Sequence, residues 1–154
     1  MLIGVISDTH GRFHPAIPTH FVGVEHILHA GDIGSARVIE QLAVLARVTA
    51  VTGNVDWGGP LDRDYERVEQ VTLGGCTIYM THIGGKPSKL VRALPPPTPP
   101  VYIFGHSHIA LVEELNGVLF LNPGSAGPAR FGKQPSLALL TIDDEQPRAE
   151  IIRL

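Results

Sequence analysis

Seven side chains with metal-binding oxygen or nitrogen atoms fall at the ends of five apolar runs in this 154-residue chain. Asp8-Thr9-His10 closes LIGVIS, Gly31-Asp32 closes VEHILHA, and Gly53-Asn54 closes RVTAVT. His82 closes CTIYMT, and Gly105-His106-Ser107-His108 closes VYIF. Each piece alone has a plain explanation: an Asx-turn with a surface histidine, Gly-Asp and Gly-Asn turn pairs, a hydrogen-bonded core histidine. Turn chemistry does not demand metal-binding types at five successive strand ends, however, and the His-Ser-His spacing after an apolar strand is unusual in itself. Two carboxylates, four neutral imidazoles and one amide oxygen would hold two divalent cations without neutralising them. Such a centre keeps positive charge for a phosphate group. Asp32, with two carboxylate oxygens, is the natural bridge. Ions roughly 3.5–4 Å apart can polarise a phosphoryl group and hold a hydroxide for in-line attack.

For these side chains to meet, the runs must be neighbouring strands whose carboxyl ends share one edge, where ligands of open α/β sheets bind. The pattern supports this. Residues 2–7 read as a buried strand, and residues 35–46 place Val38, Ile39, Leu42 and Leu45 at helical spacing behind Ser35 as N-cap. Strand, turn, helix and strand in this order predict a parallel βαβ crossover. Two strands around Gly74-Gly75 predict a hairpin, residues 86–94 a short helix, and PPPTPP at 95–100 a stiff extended connector. Several short strands follow, with a tight turn at Asn116-Gly117. The expectation is one domain over residues 1–154, built of two packed sheets with helices outside. Its first half would be mostly parallel and its second mostly antiparallel.

The bulk composition narrows the function. A net charge of −3 offers no positive channel for a nucleic-acid duplex and no attraction to an anionic membrane. The single cysteine, Cys76, excludes an intrachain disulfide and a cysteine-based structural zinc site, which fits a reducing compartment. The first residues reach Asp8 too soon for a signal peptide, and no apolar run approaches the ~20 residues of a membrane helix. A cytoplasmic protein is expected.

In this order, D8-T-H10, G31-D32, G53-N54, H82 and G105-H-S-H108 resemble the signature of the calcineurin-like metallophosphoesterases, and HAGDIG, TGNVD and NPGS resemble its small bacterial and archaeal phosphodiesterase group. The retromer subunit of the same fold is a near relation of that group. The resemblance implies an α/β fold, a four-layer αββα sandwich of two mixed β-sheets flanked by helices. It implies one metal on Asp8, His10, Asp32 and His108 and a second on Asp32, Asn54, His82 and His106, with Asp32, Asn54 and His82 central to catalysis. The ions would be manganese first, with iron, zinc, nickel or cobalt as alternatives, and the substrate a small phosphodiester. A homodimer is the family's common form. A scaffold of the same fold with weak or lost catalysis is the competing function, and such a scaffold usually lacks a ligand. A DNA nuclease is disfavoured by the short, acidic chain.

Val55 departs from the pattern. Many relatives place a histidine general acid directly after the asparagine, and valine has no proton to give. Asp56 would orient a ligand or cap its turn. Arg12 and Arg130 are candidate phosphate-binding residues, although Arg12 also reads as a solvated loop charge. Trp57, in a glycine-rich loop, would stack on a substrate ring or cover a dimer contact. His14, His20, His26 and His29 match no ligand position, and His29 is placed to pack beneath the site.

Overall fold

Side-chain alternation in the first strand sets the plan of the molecule. In the computed structural model, which describes residues 1–128 and 134–154, the chain runs β1 (Leu2–Ile6), α1 (Ile17–His20), β2 (His26–His29), α2 (Ala36–Ala43), β3 (Arg47–Ala50), α3 (Leu61–Asp64), β4 (Val68–Leu73), β5 (Cys76–Thr81), α4 (Pro87–Leu90), β6 (Val101–Ile103), β7 (Leu111–Leu115), β8 (Val118–Asn122), β9 (Ser136–Asp143) and β10 (Gln146–Arg153). Ile3 and Val5 of β1 face the second sheet, while Leu2 and Ile6 face the helices.

The strands form two five-stranded mixed sheets. The first has the order β10-β9-β1-β2-β3, with β1, β2 and β3 parallel and β9 and β10 antiparallel. The second has the order β4-β5-β6-β8-β7, with β5, β6 and β8 parallel between antiparallel edge strands. As expected, most pairings in the second half are antiparallel, but β6 runs parallel to both of its neighbours, β5 and β8. The connection from β5 through α4 and the proline run is a crossover, so β6 lies parallel to β5.

Three apolar clusters mark the layers. Between the sheets, Ile3, Val5, Leu28 and Leu140 pack against Ile78, Met80, Ile103 and Leu121. On the outer face of the first sheet, Ile17, Val38, Leu42 and Leu61 from α1, α2 and α3 cover Ile6 and Ile27. On the outer face of the second, Tyr102, Phe104 and Phe120 meet Leu90, Val91 and Leu94 at and beyond α4. The molecule is therefore an αββα sandwich whose fourth layer is one short helix and the turn after it.

Ser35 caps α2 as its sequence suggests, its hydroxyl oxygen accepting the Arg37 N–H at 3.3 Å, but the helix ends at Ala43 rather than residue 46. The turns at Gly74-Gly75 and Asn116-Gly117 join antiparallel strands, with positive φ at both central residues as the hairpin turn requires. No helix among the described residues is long and apolar enough to cross a membrane.

β6 is only three residues long, and the loop bearing His106 and His108 starts directly after it. Ile103 is its fully buried anchor between the sheets. Ile103→Ala should lower the unfolding free energy in urea by about 2–5 kcal/mol. A change below about 1 kcal/mol would show that the site loop does not depend on this packing.

Candidate metal centre

Five of the seven expected ligands, Asp8, His10, Asp32, His106 and His108, adopt left-handed backbone conformations with φ between 49° and 68°. For a residue with a Cβ this costs roughly 1–2 kcal/mol, and it persists only where the surroundings over-determine it. Backbone hydrogen bonds between loops do so here. Asp8 N–H donates to Gly31 O at 2.9 Å, His10 N–H to Asp32 O at 3.0 Å, and Gly11 N–H to Ile33 O at 2.7 Å. From the second sheet, Gly105 N–H donates to His82 O at 3.0 Å. The loops after β1 and β2 are thus joined to each other, and the β5 and β6 loops are joined likewise.

The Asp8 carboxylate links the two pairs and is completely buried. Its Oδ2 accepts the Ser7 hydroxyl at 2.7 Å and the His106 N–H at 3.1 Å. Among the described residues its Oδ1 has no hydrogen-bond partner, and it lies 3.1 Å from His108 Nε2. His82 repeats this arrangement. Its Nδ1 is 2.8 Å from Ala30 O, which only accepts, so Nδ1 carries the proton. Nε2 then presents a lone pair, buried and without a hydrogen-bond partner among the described residues, 3.3 Å from Asp32 Oδ1. Asp32 Oδ2 faces the other way, 3.9 Å from His10 Nε2, and His10 Nε2 is 3.3 Å from His108 Nε2. Lone pairs turned toward one another in a buried pocket call for a cation between them.

Among the described residues, two groups of ligand atoms lie mutually within 4.8 Å: Asp8, His10 and His108, and Asp8, Asp32 and His82. The electrostatics favour positive charge here. Burial pushes the Asp32 carboxyl up, but the His82 contact and the Val55 N–H at 3.0 Å outweigh it and hold it at about 2. Burial pushes the His82 imidazole down, yet the Asp32 contact, the Ala30 carbonyl and the two carboxylate charges raise it above its ordinary value. His106 stands outside both groups, its ring edge-on to His82 with centroids 5.3 Å apart, and it is exposed. Asn54 is exposed on the turn after β3.

Several residues hold these positions. Asp56, which the sequence left between two roles, caps its own turn and ties it to the loop that follows Asp32. Its buried carboxylate accepts N–H groups from Ile33 at 3.0 Å and Gly34 at 2.8 Å, beyond Asp32, and from Gly53 at 2.8 Å in its own turn. His29 packs beneath the site as its place before Ala-Gly-Asp suggests. Its Nδ1 accepts the Gly31 N–H, Nε2–H donates to Thr9 Oγ1, and the Thr9 hydroxyl donates to Ile33 O. Two glycines admit close approach: a Cβ at Gly53 would run into Asp32, and one at Gly105 would meet the Ser7 hydroxyl and Asp8 Oδ2.

Ser7, Asn122 and Ser125 are positioning residues that the sequence did not single out. Asn122 donates to Gly105 O at 2.8 Å and to Ser107 Oγ at 3.2 Å, and the Ser125 hydroxyl donates to Asp8 O at 2.9 Å. The sequence signal for Asn122 and Ser125 was NPGS, noted as part of the resemblance; Ser7 had none.

Arg12 is exposed on the loop beyond His10, and Arg130 lies outside the described residues. Trp57 is partly exposed, and the Arg67 guanidinium stacks 4.7 Å from its ring centre. His14 Nδ1 accepts the Ala16 N–H, and His26 pairs with Thr49, which are local structural roles.

Residues 1–145 match the family model described as the calcineurin-like phosphoesterase superfamily domain. A protein of Methanothermobacter thermautotrophicus described as a probable metallophosphoesterase is 36% identical, over 99% of this chain and 92% of that one. A solved structure titled as a novel archaeal phosphodiesterase is 27% identical with a TM-score of 0.75, covering 99% of this chain and 100% of that one. The wild-type Vps29 of Entamoeba histolytica, solved in complex with Zn2+, is 25% identical with a TM-score of 0.77, covering 99% of each chain.

Asp56→Asn would set an amide NH2 against at least one of the three backbone N–H groups that now share a carboxylate. The expected result is about 1–3 kcal/mol less stability in urea and ~10–100-fold weaker divalent-metal binding by calorimetry. Unchanged metal affinity would remove Asp56 from the support of the centre.

Burial lowers the His29 imidazole from 6.5 to about 4. Between those values the unfolded chain binds a proton that the folded chain refuses, so stability falls as the pH drops through that window. Measured with chelator present, unfolding free energy should decline from pH 6.5 to 4, by up to about 3 kcal/mol from this residue. His29→Gln should show a shallower decline, and an identical slope would contradict the assignment.

Proposed function

The chain belongs to the calcineurin-like phosphoesterase superfamily, and on that footing we propose that it is a two-metal phosphodiesterase acting on small phosphoesters. One observation carries this reading: the buried Asp8 Oδ1 and His82 Nε2, unpartnered among the described residues, each within a group of ligand-type atoms. In the proposed arrangement Asp8, His10, Asp32 and His108 hold one ion. Asp32, Asn54, His82 and His106 hold the other. Asp32 is suited to bridge, because its Oδ2 faces His10 and its Oδ1 faces His82. A donor set of oxygens and imidazoles without thiolate suits manganese, and also iron, zinc, nickel or cobalt. When bound, such ions polarise a phosphoryl oxygen and lower the pKa of a coordinated water.

The chain's own groups do the rest. The Ala30 carbonyl keeps the His82 proton on Nδ1, the Ser7 hydroxyl and His106 N–H fix Asp8, and the Val55 N–H fixes Asp32. Beyond that N–H, Val55 offers only an exposed apolar side chain. It cannot protonate a leaving alcohol, a contribution worth ~10²–10⁴-fold where it operates. The site should therefore cleave esters of acidic alcohols, such as phenols, far better than those of alkyl alcohols.

The test is chelated protein reconstituted with manganese, nickel or zinc and assayed on aryl and alkyl phosphodiesters, aryl phosphomonoesters and cyclic nucleotides. Expected are metal-dependent turnover, diesters ahead of monoesters, and aryl well ahead of alkyl. Val55→His should raise the alkyl rates selectively. Two bound ions with no turnover on any substrate would favour the interaction scaffold instead, although all seven ligand positions carry ligand-type side chains.

A further inference from the structure

We propose that the apolar cleft beside His106 binds the organic substituent of the phosphoester, with Ile109 as its specificity-determining wall. This rests on the phosphoesterase reading of the adjoining centre. The cleft measures about 510 Å³, within the ~300–1,000 Å³ of small-molecule sites. It shares Gly105 and His106 with the loop that carries the expected ligands, so it opens beside the centre. Phe104, Ile109 and Leu111 supply its apolar surface. Lys86 and Glu113 also line it, and their opposite charges give it no net pull on an anion. Burial of apolar surface is what this cleft has to offer a ligand.

A second observation points the same way. Large apolar side chains exposed on this protein include Val55 at 53%, Ile83 at 46% and Ile109 at 57%. Each stands one residue after an expected ligand: Asn54, His82 and His108. All three stand in loops that carry expected ligands, so each places exposed apolar surface next to a polar ligand-type residue. Water and inorganic phosphate gain nothing from apolar surface there, whereas a ring-sized apolar group on the phosphate does. Phe104 is held at the base, where a Cβ on Gly84 would strike its ring. Ile109 is free to close on a ligand without core packing to lose.

The test is calorimetric binding of 1-naphthyl phosphate, methyl phosphate and inorganic phosphate to the manganese-reconstituted protein. Wild type should bind naphthyl phosphate ~10–100-fold more tightly than methyl phosphate. Ile109→Ser should erase most of that ratio, leave inorganic phosphate affinity unchanged, and be rescued by Ile109→Leu. Val22→Ser, at an exposed apolar residue on the turn before β2, should change nothing. In parallel, the Ile109 methyl resonances should shift with naphthyl but not methyl phosphate. Equal wild-type affinities for the two esters, or a ratio that survives Ile109→Ser, would overturn the cleft assignment even if the enzyme turns over aryl diesters. Failure of all three phosphates to bind, with no turnover, would overturn the phosphoesterase reading and this inference with it.

Discussion

The candidate centre depends on where the Asp8 carboxylate is anchored. A fully buried carboxylate is tolerable only if its charge is met by donors or a cation. Ser7 and the His106 N–H meet one oxygen, one from its own strand end and one from the opposite sheet. Around the same residue, the Asp8 N–H reaches Gly31 O, and Asp8 O accepts from Ser125 and Gly127. Loops from β1, β2, β6 and the segment after β8 are thereby drawn to one point. The second oxygen is left turned toward His108 with no donor among the described residues. That unmet charge is the most direct sign of what the site is built to hold.

The rest of the fold can be understood as the support this arrangement requires. Left-handed backbone at five charged or polar positions expected to be ligands is locally unfavourable, and functional sites are where such local rules are broken. The opposing contribution comes from the apolar layer between the sheets and from the Asp56 and His29 networks below the loops. Asp56 binds the turns after β2 and β3 to one carboxylate, and His29 joins Thr9 to Gly31. Neither side chain faces the centre, yet each limits how far Asp32, His10 and Asn54 can move.

Much of this was legible in the residues. Apolar runs ending in Asp, Asn or His located the strands and the site edge, because a strand end followed by a polar turn has a distinct local pattern. Gly-Gly and Asn-Gly marked two hairpins because those turns need positive φ. The direction of β6 and β8 was not legible, since parallel pairing depends on a crossover whose path no local pattern encodes. The Asp144-Glu145 turn between β9 and β10 was also hidden: both residues have positive φ there, a conformation their side chains do not favour. Ser7, Asn122 and Ser125 escaped notice because serine and asparagine are common in loops, and their roles come from partners distant in sequence. Asp56 was visible as a candidate, but only the geometry shows one carboxylate serving both its turn and the Asp32 loop.

The central claim is that two ions sit side by side, joined by Asp32. Electron paramagnetic resonance of chelated protein titrated with manganese tests it most directly, because adjacent ions couple magnetically. The spectrum should saturate at two equivalents per chain and become that of an exchange-coupled pair, with the coupling lost in Asp32→Ala. Saturation at one equivalent, or two ions with uncoupled spectra, would contradict it.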